Sequence, residues 1–213
     1  MPKKAFLNLS PEKKETLYQQ AMQLYVDHPY EEVTLQMLLS ALSLNPASFY
    51  RYFEDKDELY LHIQAQLNAK IQAYLGAQGI SAESDIFTFY EGWQPLSPLE
   101  IQFTKLMFSV PDEVCLRSVL EVFKDGVFTK YKTALRNMRY EDQLRDDVDE
   151  DLIAFMYATT SFNLHLYFKE NNITDYELQM KIKKYFYTRF FRHGIIKSGE
   201  EETESANNTS IPK

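Results

Sequence analysis

The sequence predicts an all-α protein, and three observations predict it. Only 6 Gly and 8 Pro punctuate 213 residues, so long stretches run without a strong breaker. Apolar residues recur at three- and four-residue intervals, whereas the two-residue alternation of half-buried strands is scarce. Several of these stretches are also preceded by a Ser, Thr, Asn or Asp and then by a Pro or an acid, the arrangement that starts helices. The apolar share of 45% is ordinary for a chain that folds around a core.

The first helix is expected at about residues 11 to 27. Ser10-Pro11-Glu12 supplies a cap, a proline at the first helical position and an acid at the positive helix end. Leu17, Ala21, Leu24 and Tyr25 then form one apolar stripe. His28-Pro29 ends the helix, because a residue before proline avoids the helical region. Ahead of it, Met1 to Leu9 carries Lys3, Lys4 and Phe6. This arm reads equally as a frayed terminus or as a short basic tail of the kind that lies along a DNA backbone.

Residues 34 to 56 hold two short helical patterns around a tight turn. Thr34 caps the first, in which Leu35, Leu38, Leu39 and Leu42 fall at helical spacing. Asn45-Pro46 starts the second, since Asn accepts an amide hydrogen bond at the cap and Pro loses no needed donor. Phe49 and Phe53, four apart, face inward and leave Ala47, Ser48, Tyr50, Arg51 and Tyr52 on the remaining surface. Read blandly, this is a helical hairpin of a core; read functionally, it is a helix-turn-helix that meets DNA.

Beyond the hairpin, Asp55-Lys56-Asp57-Glu58 has the form of a capping box. Leu59, Ile63, Leu67, Ile71 and Tyr74 carry an apolar face on to Gly76 and Gly79, which predicts one long connector helix. From Ser81 onward the chain is rich in Phe, Tyr and Met and segmented by Pro95, Pro98 and Pro111. Helices are expected at residues 82 to 93, 98 to 109, 112 to 139, 149 to 170 and 174 to 194, with Asp149 and Thr174 as caps and Gly194 as a stop. The polar, acidic residues 198 to 213 have nothing to bury and are expected to be disordered.

The run Phe49-Tyr50-Arg51-Tyr52-Phe53, followed by Lys56-Asp57-Glu58-Leu59 and taken with the preceding helix, resembles the signature of the TetR family of bacterial transcriptional repressors. The resemblance covers the first quarter of the chain. It implies an N-terminal three-helix DNA-binding domain at residues 1–55, a helical-bundle effector-binding and dimerisation domain at 56–197, and the tail at 198–213. It also implies a homodimer on a palindromic operator, released by a small-molecule effector, and no enzymatic activity. Carried over position by position, Gln36, Asn45, Pro46, Ala47, Ser48, Arg51 and Tyr52 sit where family members approach bases or neighbouring phosphates. Thr34, Tyr50 and Lys56 sit where they hold the backbone. Arg51 is the residue expected to read a base, because its fork pairs bidentately with guanine in the major groove. The sequence departs from the family pattern at Ser43, a turn position where Gly is usual, at Leu39 and Leu42, which replace small residues, and at Pro46, where a phosphate-binding Lys is common.

Charge argues the other way. The net charge is -8, and the first 60 residues hold six bases against nine acids. A duplex is a polyanion, so binding must rest on placement rather than on total charge, with few ionic contacts and a moderate salt dependence.

Other chemistry is thinly signalled. Cys115 is the only cysteine, which excludes an intramolecular disulfide and a Cys-based zinc site. His28, His62, His165 and His193 are scattered without metal-ligand spacing, and no phosphate-binding or hydrolase motif is present, so neither a metal nor a cofactor is expected. No apolar run approaches the ~20 residues that cross a bilayer, and the expected location is the cytoplasm. Aromatic residues of the second half supply walls for a small apolar or aromatic effector: Phe87, Phe89, Tyr90, Trp93, Phe103, Met107, Phe108, Phe123, Phe128 and Tyr131. Thr159, Asn163 and His165 would orient it. Residues 152 to 168 are apolar on nearly every side, and a partner subunit is the economical cover for them. Two central helices of one subunit's own core are the alternative. The rival function is a helical-bundle interaction or small-molecule-binding protein that uses the hairpin only as core.

Overall fold

The computed structural model describes residues 2–79, 92–124 and 127–196. Among these the architecture is helical, with no strand beyond a single antiparallel bridge between Leu144 and Ile196. The chain divides into two compact units. One comprises Met1–Ser81 and Gly92–Ser118, the other Ala82–Glu91 and Val119–Lys213. Residues 82 to 91 of the helix expected at 82 to 93, with Phe87, Phe89 and Tyr90, and the tail from residue 198 lie outside the described residues, while Gly92 and Trp93 are not helical.

The first unit begins with α1 (Lys4–Leu7), α2 (Pro11–Asp27), α3 (Leu35–Ala41), α4 (Pro46–Tyr52) and α5 (Lys56–Ala77). Every start from α2 to α5 is made by the expected side chain. Ser10, Thr34, Asn45 and Asp55 accept hydrogen bonds from the amides of Lys13, Met37, Ser48 and Glu58, satisfying donors that a helix cannot pair internally. Glu58 reaches back one residue further than a standard capping box, accepting from the Glu54 amide at 2.6 Å. After α6 (Pro98–Thr104), the chain tightens into a 3-10 turn over Lys105–Phe108, so the helix expected to reach 109 is α-helical for half its length.

Three tyrosines and a phenylalanine make the centre of this unit. Tyr60 lies 5.1 Å from Tyr25, 5.0 Å from Tyr30 and 4.9 Å from Phe103, ring centre to ring centre. Each buried hydroxyl finds an acceptor: Tyr25 donates to the Lys56 carbonyl, Tyr30 to Asp57 and Tyr60 to the Leu106 carbonyl. Apolar ring area is thereby removed from water without stranding a polar atom.

The turn between α3 and α4 closes α3 with a Schellman motif. The Leu44 amide donates to the Leu39 carbonyl and the Ser43 amide to that of Ser40, with Ser43 at φ 51°. Asp142 and Asn172 end two later helices in the same way, at φ 59° and 52°. Their side chains tolerate the left-handed region, whereas Ser43 pays a steric penalty there. Ser43→Gly is therefore expected to stabilise the protein by about 0.5–1 kcal/mol, the relief of left-handed strain exceeding the added entropy of an unfolded glycine. A shift of the urea midpoint to higher concentration at unchanged slope is the outcome that checks it.

Helix α7 (Asp112–Lys124) carries the chain into the second unit, which continues with α8 (Val127–Tyr140), α9 (Glu150–Glu170), α10 (Tyr176–Tyr185), a π-helical stretch at Phe186–Arg192 and α11 (His193–Ile195). Of the single helix expected over 112 to 139, Asp112–Lys124 and Val127–Tyr140 are helical, and 125–126 lie outside the described residues. Asp149 caps α9 as expected, but α10 is capped by Asp175 and not by Thr174. The connection between α8 and α9 is pinned by Arg139, whose guanidinium donates to Glu150 and to the carbonyls of Arg145 and Val148. Tyr157 on α9 is ringed by Tyr131, Tyr187 and Phe191 at 4.8, 5.0 and 5.6 Å. Tyr187 and Phe191, four residues apart, both face inward, while Phe190 stays half exposed.

Candidate nucleic-acid interface

Helix α4 is short, and its inner face is fixed on three sides. Phe49 and Phe53 are fully buried, and Phe53 packs 4.7 Å from Phe6, a residue of α1. Outward it presents Pro46, Ala47, Tyr50 and Arg51, with Asn45 exposed at its cap and Ser48 partly exposed. Thr34 and Gln36, at the start of α3, are exposed as well. The Asn45 carbonyl oxygen serves the cap, which leaves the two amide N–H donors of its side chain for a ligand.

Tyr52 departs from the expected surface position. It is 4% exposed, edge-on to Phe6 at 5.9 Å, with the Arg51 guanidinium 5.4 Å from its ring centre. Tyr52 follows Phe49 by three residues and so falls on the same helix face. Its ring supports Arg51 from within and is not part of the exposed face.

The structure also sorts the six bases of the first 60 residues. The Lys56 ammonium donates to the carbonyls of Tyr30 and Val33 at 3.0 and 2.8 Å and lies 4.6 Å over the Tyr30 ring. It ties the chain before α3 to the start of α5. Lys14 donates to the Leu7 carbonyl and Lys3 to that of Tyr50, each at 2.8 Å. Lys4, Lys13 and Arg51 are exposed and form no ion pair among the described residues.

Three residues beside this surface carried no recognised sequence signal. Arg117 on α7 grips the Asp55 carboxylate through Nη1, at 2.8 and 3.0 Å from its two oxygens, and approaches Glu54 at 3.8 Å. The acids that directly follow α4, which would repel a polyanion, are thereby compensated by a base 62 residues away. Tyr18 and His62 share a 2.8 Å hydrogen bond beside Phe6. Burial pushes the His62 imidazole down to about 4, so at neutral pH it is uncharged and packs as an aromatic ring.

The side chains expected to hold an effector fall in different surroundings. Trp93, Phe103, Met107 and Phe108 belong to the first unit. Of these, Phe103 is core, packed on Tyr60 and Tyr25, and Trp93 lies 5.5 Å beneath the Lys105 ammonium. Phe123, Phe128, Thr159, Asn163 and His165 belong to the second unit. There Phe123 and Phe128 pair at 4.9 Å, the Thr159 hydroxyl donates to carbonyls of its own helix, Asn163 is exposed and His165 is buried against Phe162.

Comparison with known proteins addresses the same region. Residues 17–63, from within α2 into α5, match the family model described as bacterial regulatory proteins, tetR family. No curated protein sequence matches the chain. Among solved structures, SmeT, the repressor of the Stenotrophomonas maltophilia multidrug efflux pump SmeDEF, aligns at a TM-score of 0.52 and 14% identity over 94% of this chain and 96% of its own. NemR of E. coli in its reduced form aligns at 0.48 and 17% identity, over 89% of this chain and 100% of its own. A TetR family regulator from Chloroflexus aurantiacus aligns at 0.41 and 17% identity, over 93% and 100%. The likeness to SmeT shows the fold, and the match at 17–63 falls on the capped helix pair and its supports. Residues 17–63 are accordingly similar to the tetR family of bacterial regulatory proteins, and the fold of the chain is similar to that of SmeT.

Proposed function

We propose that the chain is a ligand-responsive repressor that binds a palindromic operator as a homodimer and is released by a small apolar or aromatic effector. The observation that carries this reading is the outward face of α4. Asn45, Pro46, Ala47, Tyr50 and Arg51 are exposed on a helix whose inner face is locked by Phe49, Tyr52 and Phe53. A rigid helix displaying a guanidinium, an amide, a phenol and small apolar groups suits the major groove, where bases show distinct donor, acceptor and methyl patterns. In this reading residues 1–55 bind DNA and 56–197 hold the effector and the partner subunit. Arg51 reads a guanine. Gln36, Asn45, Pro46, Ala47 and Ser48 line the same groove, while Thr34 and Tyr50 meet the phosphate backbone.

Uncovered apolar side chains support the dimer. Phe155 on α9 and Phe190 in the π-helical stretch are 51% and 50% exposed, and Leu152, Tyr167 and Tyr185 are exposed beside them in sequence. Exposed apolar groups in such number on two helices are what a partner subunit buries. Phe123 and Phe128 keep partial exposure in the second unit and are the side chains there best suited to an apolar effector. Effector binding would favour a different tilt of α5 and so misalign the two α4 helices.

Selection of bound duplexes from a random pool by the purified chain tests the function. A palindromic motif is expected, and enrichment of no motif overturns the reading. The salt response follows from the sorted bases. Lys4, Lys13 and Arg51 are the cations of the first 60 residues left for DNA, at most six in a dimer. With about -0.9 per neutralised phosphate, the slope of log affinity against log salt is expected no steeper than about -5. Anisotropy titrations from low to physiological salt measure it, and a slope near -10 contradicts the assignment.

A further inference from the structure

The N-terminal segment is neither frayed nor extended. Lys3 donates twice to the end of α4: its backbone amide to the Tyr52 carbonyl at 2.9 Å and its ammonium to the Tyr50 carbonyl at 2.8 Å. Those carbonyls belong to the last turn of a helix, where no intrahelical donor follows. The Glu54 amide, which would otherwise continue the ladder to Tyr50, donates instead to Glu58. Phe6 anchors the segment. It is fully buried, with Phe53 and Tyr52 on one side and Tyr18 and His62 on the other, at 4.7 to 5.9 Å.

We propose that residues 2–7 are the C-terminal cap of the recognition helix and that Lys3 is a positioning residue, fixing the last turn of α4 and hence the direction of Tyr50 and Arg51. This rests on the reading of α4 as the helix that meets DNA. A helix of seven residues is too short to hold its own last turn in water. A cation on its terminal carbonyls suits both their lone pairs and the negative helix end. Lys3 therefore makes no phosphate contact, despite being one of the bases nearest the recognition helix in space. Phe6 also joins α4 to His62 of α5, so the segment links the reading helix to the connector.

The test compares Lys3→Met, which keeps the stem and removes the donor, with Lys3→Arg, which keeps donors, in the full chain. Without DNA, amide hydrogen exchange in α4 is expected to quicken about tenfold in Lys3→Met, as for loss of one charged hydrogen bond, while α2 is unchanged and Lys3→Arg follows the wild type. On the operator selected by the wild type, Lys3→Met is expected to weaken binding by about the same factor with the salt slope unchanged. A slope shallower by about 0.9 per Lys3 lost, with α4 exchange unaltered, makes Lys3 a phosphate contact and overturns the proposal. Exchange that quickens equally in α2 and α4 overturns it too, since Lys3 then supports only global stability. If no operator is selected at all, the DNA reading fails by itself, and the exchange measurement still decides the cap.

Discussion

Phe53→Ala is expected to destabilise the protein by about 3–5 kcal/mol. The side chain is fully buried where α4 meets α1, with ring contacts to Phe6, Phe49 and Tyr52. Truncation removes a whole aromatic ring from a small cluster and leaves a cavity that α1 and α4 cannot both close upon. Against a total of about 5–15 kcal/mol for a native protein, that loss is at least about a fifth of the margin. Urea unfolding of wild type and variant at one protein concentration measures it, since dimer stability depends on concentration. Tyr50→Ala, three positions earlier at a half-exposed site, supplies the control and is expected to change stability by about 0.5 kcal/mol or less. A Phe53→Ala effect as small as that of the control contradicts the packing described.

Arg51→Ala is expected to leave folding intact and to cost operator binding about 1–3 kcal/mol per half-site, roughly 30- to 20,000-fold across the two half-sites of a dimer. Arg51 is exposed, forms no ion pair among the described residues and rests on the buried Tyr52 ring. Its removal therefore leaves no buried partner unpaired. The loss is expected to fall on one base position, so the consensus selected by the variant relaxes there and nowhere else. Equal binding and an unchanged consensus would move base readout to Asn45 or Gln36.

How much of this was legible in sequence depends on the range of the interaction. Thr34, Asn45, Asp55 and Asp149 act on amides three residues away, so their cap chemistry is written locally. The left-handed turn at Ser43 was foreshadowed by its place between two capped patterns. The inward position of Tyr52 was also available, because it lies three residues after Phe49; counting only the four-residue interval to Phe53 obscured it. By contrast, the pairing of Arg117 with Asp55, of Lys3 with Tyr50 and of Lys56 with Tyr30 and Val33 spans from 23 to 62 residues. No periodicity encodes which distant carbonyl an ammonium will find. These pairings decide which bases are left for DNA, so the electrostatics of the surface were less legible than its shape. The effector site was least legible for a similar reason, since core and pocket draw on the same aromatic residues.

Methylation interference on the selected operator tests most directly the claim that paired α4 helices read base edges through Arg51. Methyl groups at guanine N7 block the bidentate arginine contact in the major groove. The wild type is expected to show interference at one guanine in each half-site, the two related by the operator's symmetry and about 34–36 Å or a multiple of that apart. Interference at a guanine in one half-site only, or at no guanine N7, would contradict it.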